Sequence, residues 1–305
     1  MMGRTRLLLG VTGAVLALGL ATTVVLVRGE SETPTPVAHS SAASLDSLVA
    51  DFTGALSAGQ PYRPPGAAER RAGQEGFTKV LDAGHATSSA LDGLGFSVRD
   101  GVDAKTGRPY TIAVNESGTE RAWGMYVIDR SAPPSLVVEV PHPAFDLHTE
   151  LAGLDQFRQV PGAVLMIAGA HRKAGGGKAD VAHEESSMFH VIATTLMARK
   201  LAQVQLHGFD DDSQPGTDIV LSTGAGKAGD PAFRAADRLI AHDFVVCPGW
   251  AQTCPGLEAK TNVQGKAAAA AGTVFLHVEM SRTVRDSATR RADVVRALTE
   301  AKPGS

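Results

Sequence analysis

The chain has 305 residues, of which 43% are hydrophobic and 20% charged, a composition typical of globular proteins and unlike that of disordered chains. A net charge of −3 gives no electrostatic reason to bind nucleic acid, so we expect no nucleic-acid partner. Aromatic residues make up only 5% of the chain, so we expect a core built mainly from Val, Leu, Ile and Ala.

The N-terminal segment has the pattern of an export signal. Arg4 and Arg6 precede residues 7–27, which are apolar and carry no charge, and a basic flank before an apolar run is typical of such signals. As a helix, a run of this length spans roughly 30 Å, the thickness of the hydrocarbon core. Residues 1–28 are therefore predicted to be a cleaved signal peptide or a membrane anchor. In either case we expect the rest of the chain outside the cytoplasm, touching the membrane only through this segment.

The rest of the chain is predicted to contain a tether and one domain. Residues 29–42 are rich in Ser, Thr and Pro and are predicted to be flexible. Residues 43–305 are predicted to form a single α/β domain with a helical lead-in at 43–95. Apolar residues at helical spacing predict one helix at 43–57, and a second, at about 67–83, follows three prolines.

From residue 96 onward, short β-rich runs appear first, and strands then alternate with helices. This alternation predicts a mixed, mainly parallel sheet with helices on both faces. Strands are predicted at 96–100, 110–116, 122–129, 135–140, 163–170, 202–206, 219–222, 244–247 and 273–278, and the later helices at 185–201, 231–242 and 283–300.

Cys247 and Cys254 are the only cysteines in the chain. In an oxidising compartment, two cysteines joined by a loop that contains Pro and Gly favour a disulfide over a metal site. Zinc sites with thiolates generally have closer cysteine spacings or further ligands. The alternative to a disulfide is two unpaired buried thiols.

Three histidines, His142, His171 and His207, each follow a predicted strand directly. In open α/β sheets, ligands bind in the crevice beyond the carboxyl ends of the strands. Imidazoles delivered to that edge can therefore converge although they lie far apart in the sequence. One such histidine is more often structural, but three at equivalent strand ends indicate a site.

Acidic residues close to His142 complete the ligand types that zinc prefers. Catalytic zinc commonly takes two histidines and one carboxylate and leaves a position for water. Asp146 and Glu150 are both candidates for the carboxylate, with His207 as the distant histidine. In the other interpretation, Asp146 caps a helix that starts near Leu147, and Glu150 lies in its first turn.

A late strand supplies a candidate base. Because side chains alternate along a strand, Phe275, His277 and Glu279 share one face. A buried glutamate is costly unless it is paired or catalytic, and a zinc hydrolase needs a base to take a proton from water and return it to the leaving amine. Glu279 is the candidate. The alternative is a salt bridge to Arg282 or Arg285.

These segments resemble a known family. The segment His142-Pro-Ala-Phe-Asp-Leu-His-Thr-Glu-Leu-Ala resembles the metal loop of poly-gamma-glutamate hydrolases, Leu206-His207-Gly208 resembles their second metal-histidine strand, and Val278-Glu279-Met-Ser resembles the segment with the base. N-formylglutamate amidohydrolases and zinc carboxypeptidases share this order of His, acid, His and late Glu. The resemblance implies a zinc-carboxypeptidase-like fold and one zinc ion. With one residue deleted, it also implies Asp146 as the carboxylate ligand, where the family has Glu, with Glu150 as the alternate.

The resemblance implies a zinc-dependent hydrolase that cleaves an amide bond, of peptide or gamma-glutamyl type, in a carboxylate-bearing substrate. The N-terminal segment predicts that this hydrolase is exported, and a location outside the cytoplasm favours small peptides, gamma-glutamyl polymers or cell-wall fragments as substrates. Arg172 is the candidate for binding the substrate carboxylate, because a guanidinium binds carboxylates bidentately. An ion pair between Arg172 and Asp180 is the alternative. His171, Asn262 and Arg285 are further candidates for substrate contact.

Two other functions stay open at this point. Histidines and Arg172 would also suit the phosphate of a metal-dependent phosphoesterase, and a catalytically degenerate member of the fold would bind peptides or glycans without turnover. A serine hydrolase is disfavoured because the sequence contains no Gly-x-Ser-x-Gly segment.

Overall fold

The structure is a computed structural model that describes residues 44–87 and 91–304. The predicted signal or anchor at 1–28 and the tether at 29–42 lie outside the described residues, so both stay predictions. Within the described ranges, no helix combines the length and the apolar character needed to cross a membrane.

The described residues form eight α-helices and nine strands. The helices are α1 (Leu45–Gly54), α2 (Ala67–Ala83), α3 (Thr149–Gln159), α4 (Met188–Ala198), α5 (Asp230–Ala241), α6 (Val263–Ala271), α7 (Arg282–Asp286) and α8 (Ala288–Glu300). The strands are β1 (Phe96–Val102), β2 (Pro109–Asn115), β3 (Met125–Asp129), β4 (Leu136–Val140), β5 (Ala163–Ile167), β6 (Ala202–Phe209), β7 (Ile219–Ser222), β8 (Val246–Pro248) and β9 (Phe275–Ser281).

Two helices differ from the prediction. The final helix, predicted as continuous over 283–300, is split into α7 and α8. Ser287 has extended backbone between them, and its hydroxyl accepts the N–H of Arg290 as the cap of α8. Helix α6 was not predicted, because its run of alanines has no apolar periodicity to read.

All nine strands belong to one sheet, in the order β1-β2-β3-β5-β4-β6-β9-β7-β8. The four central strands β5, β4, β6 and β9 are parallel neighbours. On one side β1, β2 and β3 form an antiparallel meander that continues onto β5. On the other side β7 is antiparallel to β9 and parallel to β8. The predicted mixed sheet is confirmed, with four parallel strands at its centre.

Helices cover both faces of this sheet, as predicted. Buried side chains of α1, α3, α5 and α8 share one hydrophobic cluster with Val138, Leu206 and Val278. Those of α2, α4 and α6 share a second cluster with Val137 and Met166, the residues that alternate with the first set.

Strands β6 and β9 differ from the others because one face of each is polar. Leu206 points into the first hydrophobic cluster, whereas Gln205 and His207 lie on the opposite face and are still buried. The register pairs Gln205 with His277 and His207 with Glu279. Four polar side chains therefore lie next to one another near the carboxyl ends of two parallel strands.

The predicted disulfide between Cys247 and Cys254 is present. It closes a loop that follows β8. The segment directly after this loop, residues 256–262, forms one wall of the cavity described next.

Candidate metal centre

A tight turn after β4 places Asp146 beside His142. The carbonyl of His142 accepts the N–H groups of Phe145 at 3.2 Å and of Asp146 at 2.9 Å. Ala144 and His148 flank the carboxylate in the left-handed region, at φ 62° and 72°, which is costly for residues with a side chain. Helix α3 begins only at Thr149, so Asp146 does not cap it.

Three ligand-type atoms converge at this turn. Oδ2 of Asp146 lies 3.2 Å from Nδ1 of His142 and 3.1 Å from Nδ1 of His207. All three side chains are at most 5% exposed. The ligands of a tetrahedral zinc ion are about 3.3 Å apart, so the donor set fits zinc in both type and spacing.

A carboxylate fixes which nitrogen of His142 faces this set. Nε2 of His142 lies 2.8 Å from Oδ1 of Asp180. Burial raises the pKa of Asp180, but the bonds from His142 and His183 and the charge of Arg172 outweigh it and hold the pKa well below its ordinary value. An ionised carboxylate only accepts hydrogen bonds, so Nε2 of His142 carries a proton. Nδ1 is the nitrogen left for the metal.

The orientation of His207 follows from a backbone N–H group. Gly265 donates to Oδ1 of Asn262 at 2.8 Å, so the Nδ2 group of Asn262 faces Gln205 and donates to its Oε1 at 2.6 Å. This Oε1 atom lies 2.8 Å from Nε2 of His207. Because the oxygen can only accept, Nε2 of His207 carries the proton and Nδ1 has the lone pair.

An independent set of contacts gives the same orientation for Gln205. The carbonyl of Val181 accepts from Nε2 of Gln264 at 2.9 Å, so Oε1 of Gln264 faces Nε2 of Gln205 at 3.3 Å. Nε2 of Gln205 also donates to Oε2 of Glu139 at 2.6 Å. Burial raises the pKa of Glu139 to about 8, although the bond from Gln205 opposes the shift.

The two Nδ1 lone pairs and the Asp146 carboxylate are thus directed at one another, and acceptor atoms repel unless a proton or a metal ion lies among them. Burial lowers the pKa of His142, but its bonds to Asp146 and Asp180 outweigh this and raise it. Burial lowers the pKa of His207 to about 4 against the bond to Asp146. Burial raises the pKa of Asp146, but the bonds from both histidines hold it well below its ordinary value. The metal-free set is therefore stabilised by a proton on His142, which a metal ion would replace.

These atoms face a cavity of about 480 Å³. Its lining includes the three converging residues together with Arg172, His183, Asn262, His277 and Glu279. A groove of about 550 Å³ at α5 and α6 has Lys227 as its one charged lining residue within the described chain, so it offers little for chemistry.

Glu279 is 8% exposed and lines this cavity. Burial and the nearby Asp146 raise its pKa well above the ordinary value. Its Oε2 atom has no hydrogen-bond partner among the described residues. Arg282 instead bonds Asp286 at 2.8 Å, so the Glu279–Arg282 salt bridge considered from the sequence is absent from the described part of the chain.

Arg285 lies behind the cavity, not in its lining. It is 2% exposed and donates to the carbonyls of Met280 at 3.1 Å, Leu147 at 3.0 Å and Phe209 at 3.0 Å. A Cβ atom at Gly208 would lie 2.0 Å from its Nε, so glycine is needed there. The bond to Leu147 holds the turn that carries Asp146. Arg285, a candidate for substrate contact from the sequence, is therefore outside the cavity lining and supports the turn instead.

Of the other predicted substrate contacts, some line the cavity and some lie outside its lining. Nη2 of Arg172 lies 2.5 Å from Oδ2 of Asp180, so that ion pair forms, and Arg172 also lines the cavity. Asn262 lines the cavity as well, with its amide committed to the cap of α6 and to Gln205 as described above. His171 packs against Phe145, with 5.5 Å between the ring centroids, outside the described lining. Glu150 lies in the first turn of α3, outside the converging set.

Sequence reasoning missed the buried polar residues that support the ligands, chiefly Gln205 and Glu139. The signal was available for Gln205, because Gln203, Gln205 and His207 recur at every second position of a strand that is otherwise apolar. Glu139 is the single acid within an apolar strand.

No protein-family model and no curated protein matches this sequence. Among solved structures, a bacteriophage poly-gamma-glutamate hydrolase is similar with a TM-score of 0.42 and 13% identity, over 58% of this chain and 86% of that one. An N-formylglutamate amidohydrolase from Ralstonia eutropha JMP134 has a TM-score of 0.41 and 13% identity, over 59% and 97%. A metallo-carboxypeptidase from Pseudomonas aeruginosa has 0.39 and 12%, over 68% and 64%. These three structures belong to the kinds of protein that the sequence motifs resemble.

Proposed function

We propose that the protein is an exported zinc-dependent hydrolase that cleaves an amide bond in a carboxylate-bearing substrate. The observation that carries the proposal is the convergence of Nδ1 of His142, Nδ1 of His207 and Oδ2 of Asp146 at 3.1–3.2 Å, with both outer nitrogens committed elsewhere. Such a set is stabilised by a proton or by a metal ion, and two imidazoles with one carboxylate are the protein ligands of many catalytic zinc sites. His207 offers one lone pair, so we expect one ion at this set.

Glu279 is the proposed base. A bound zinc ion would supply Lewis-acid polarisation of the scissile carbonyl and acidification of a water molecule. Oε2 of Glu279 has no partner within the described chain and lies in the same cavity, so it can take the proton from water and return it to the leaving amine. Its raised pKa favours holding that proton between the two steps.

Arg172 is the proposed contact for the substrate carboxylate. Its Nη1 atom lies 3.5 Å from Nδ1 of His142, so one edge of the guanidinium lies beside the ligand atoms, while Nη2 is held by Asp180. The ring of Phe145, 5.0 Å from the guanidinium carbon, supports the other side. A carboxylate close to the scissile amide would fit this geometry, as in a small peptide, a gamma-glutamyl chain or a cell-wall fragment.

Export is part of the proposal. The disulfide between Cys247 and Cys254 suits an oxidising compartment. The basic and apolar pattern of residues 1–28 supports delivery there as a secreted or membrane-anchored protein.

The proposal is tested by zinc content and by turnover on panels of amides, peptides and phosphoesters. Glu279→Gln should keep the zinc and lower kcat by about 10²–10⁴-fold, the usual contribution of general acid–base catalysis. Glu258→Gln is the matched control, because Glu258 is also 8% exposed and lines the same cavity while its Oε1 accepts the backbone N–H of Cys254. This control should stay active.

Three other outcomes would contradict the proposal in part or in full. Equal activity in Glu279→Gln and in the unmodified protein would remove Glu279 from the mechanism. Metal-dependent turnover of phosphoesters alone would indicate the phosphoesterase. Peptide or glycan binding without any metal-dependent turnover would indicate the degenerate binding module.

A further inference from the structure

His277 has no part in the function proposed above, although it is buried in the same cavity. It is 3% exposed, and its Nδ1 atom has no hydrogen-bond partner among the described residues. The neighbouring Glu279 has an unpaired Oε2 atom as well. Leaving a buried polar atom unsatisfied is unfavourable, and buried polar groups in native proteins are nearly all paired. Both side chains line the same cavity and each keeps one buried atom without a partner in the described chain, so both are able to take a ligand there.

We propose that His207, His277 and Glu279 form a second position for the divalent metal ion, occupied in place of the first position and never together with it. The ligand atoms of these three buried side chains all lie within 4.8 Å of one another. Two imidazoles and one carboxylate repeat the donor chemistry of the first position, so both should take the same class of metal, with zinc as the leading candidate.

The sheet explains why these three donors lie together. Strand β9 is the parallel neighbour of β6, and the register places Glu279 opposite His207 and His277 opposite Gln205. Residues 277 and 279 therefore share the polar face on which His207 lies. The ring centroids of His207 and His277 are 4.5 Å apart, and Nε2 of His277 is 3.8 Å from Oε1 of Glu279.

The two positions exclude each other because both require His207. Its Nε2–H group is committed to Oε1 of Gln205, which leaves Nδ1 as its single lone pair, and one lone pair binds one ion. An ion at the second position would also use the carboxylate of Glu279. The base would then be unavailable, so an ion at the second position is inactive and an ion at the first position is the working state. This inference rests on the proposed function for the roles of His142, Asp146 and Glu279.

Metal binding to variants of the full-length protein tests the inference. Zn²⁺ affinity and stoichiometry are measured by competition with a chromophoric chelator, and folding is checked by thermal unfolding. His142→Ala disables only the first position, so it should still bind one ion, although more weakly than the unmodified protein does. His142→Ala/His277→Ala should bind none. The matched control is His142→Ala/His190→Ala, which removes a histidine of α4 outside the cavity lining and should bind like His142→Ala alone.

The outcomes separate this inference from the proposed function. If His142→Ala binds no zinc while the unmodified protein binds one ion, the second position does not exist and the proposed function stands. If His277→Ala abolishes binding and His142→Ala leaves it unchanged, the proposed first position fails. Two ions in the unmodified protein would refute mutual exclusion. Should His142→Ala not fold, Asp146→Asn disables the first position without creating a void, and the same comparison with His277→Ala applies.

Discussion

Gln205 offers the sharpest test of how the site is held, because a single oxygen orients a proposed metal ligand. Its Oε1 atom accepts from Nε2 of His207 at 2.8 Å and from Nδ2 of Asn262 at 2.6 Å. Gln205→Leu keeps the approximate volume and removes that acceptor. The donors of His207 and Asn262 then lose their acceptor, and Glu139 and Gln264 lose the Nε2 donor of Gln205. At about 1–3 kcal/mol for each buried group left unpaired, we expect a loss of at least about 4 kcal/mol in the free energy of unfolding.

The loss of metal affinity is the more specific expectation. Without the oxygen, nothing in the strand fixes the proton on Nε2 of His207, and its Nδ1 atom is no longer committed to the metal. Removing a group that orients a metal-binding histidine typically costs 10- to 100-fold in metal affinity. That loss corresponds to about 1.4–2.8 kcal/mol of binding free energy. It is measured as a change in the Zn²⁺ dissociation constant by chelator competition.

Gln203→Leu is the matched control. Gln203 precedes Gln205 by two residues on the same face of β6 and is also fully buried, but its Nε2 atom donates to the carbonyl of Ala193 at 3.0 Å. This variant should lose stability with little change in the zinc dissociation constant. Equal dissociation constants for the two variants would refute the reasoning. So would an imidazole ¹⁵N spectrum of the metal-free Gln205→Leu protein that shows an unchanged His207 tautomer together with unchanged affinity.

Three further predictions concern single features of the described structure. Burial raises the pKa of Glu139 from 4.5 to about 8, so the folded protein keeps a proton that the unfolded chain releases, and stability should fall as the pH rises through that range. Glu139→Gln should remove this contribution to the loss of stability, which amounts to about 1.4 kcal/mol for each unit of pKa difference. Urea unfolding at about pH 5.5 and pH 8 measures the change in the free energy of unfolding. An unchanged pH dependence in the variant would contradict the prediction. Arg172→Lys should raise KM about tenfold for a substrate with a free carboxylate and less for its amidated analogue, since the planar guanidinium can bond Asp180 and the substrate carboxylate at the same time and the ammonium of lysine lacks that fixed geometry. An equal effect on both substrates would assign Arg172 to its ion pair with Asp180. Replacing Cys247 and Cys254 by serine should cost about 2–3 kcal/mol of unfolding free energy, and a reductant should lower the Tm of the unmodified protein but not that of the variant.

Sequence reasoning reached the fold and the converging residues because both leave local patterns. Alternating strands and helices predict layered α/β structure. Histidines that directly follow strands are predicted to lie together at the edge formed by the carboxyl ends of those strands. The structure brings His142, Asp146 and His207 together at that edge. It also places Glu279 in the same cavity, as the shared strand face with His277 implied.

The supporting network left no such pattern. Gln205 is oriented by Asn262 and Gln264 of the α6 region, which lie 57 and 59 residues away in the sequence. The hydrophobic pattern of a sequence does not predict which side chain of a helix contacts which strand. Helix α6 itself was missed because its alanines form no amphipathic stripe, although the high helix propensity of alanine would have predicted it.

The turn that carries Asp146 shows how tertiary contacts override local preference. Ala144 and His148 both adopt left-handed backbone on either side of the carboxylate, and such strain persists only where the surrounding structure determines it. Arg285 supplies that restraint, because its guanidinium holds the carbonyl of Leu147 and packs where Gly208 has no side chain. A carboxylate held in this way is oriented before any metal ion arrives. The sequence of the turn alone therefore places Asp146 near His142. It contains no sign that the loop leading to α3 is held by Arg285, a buried residue of α7 that lies 138 residues after Leu147.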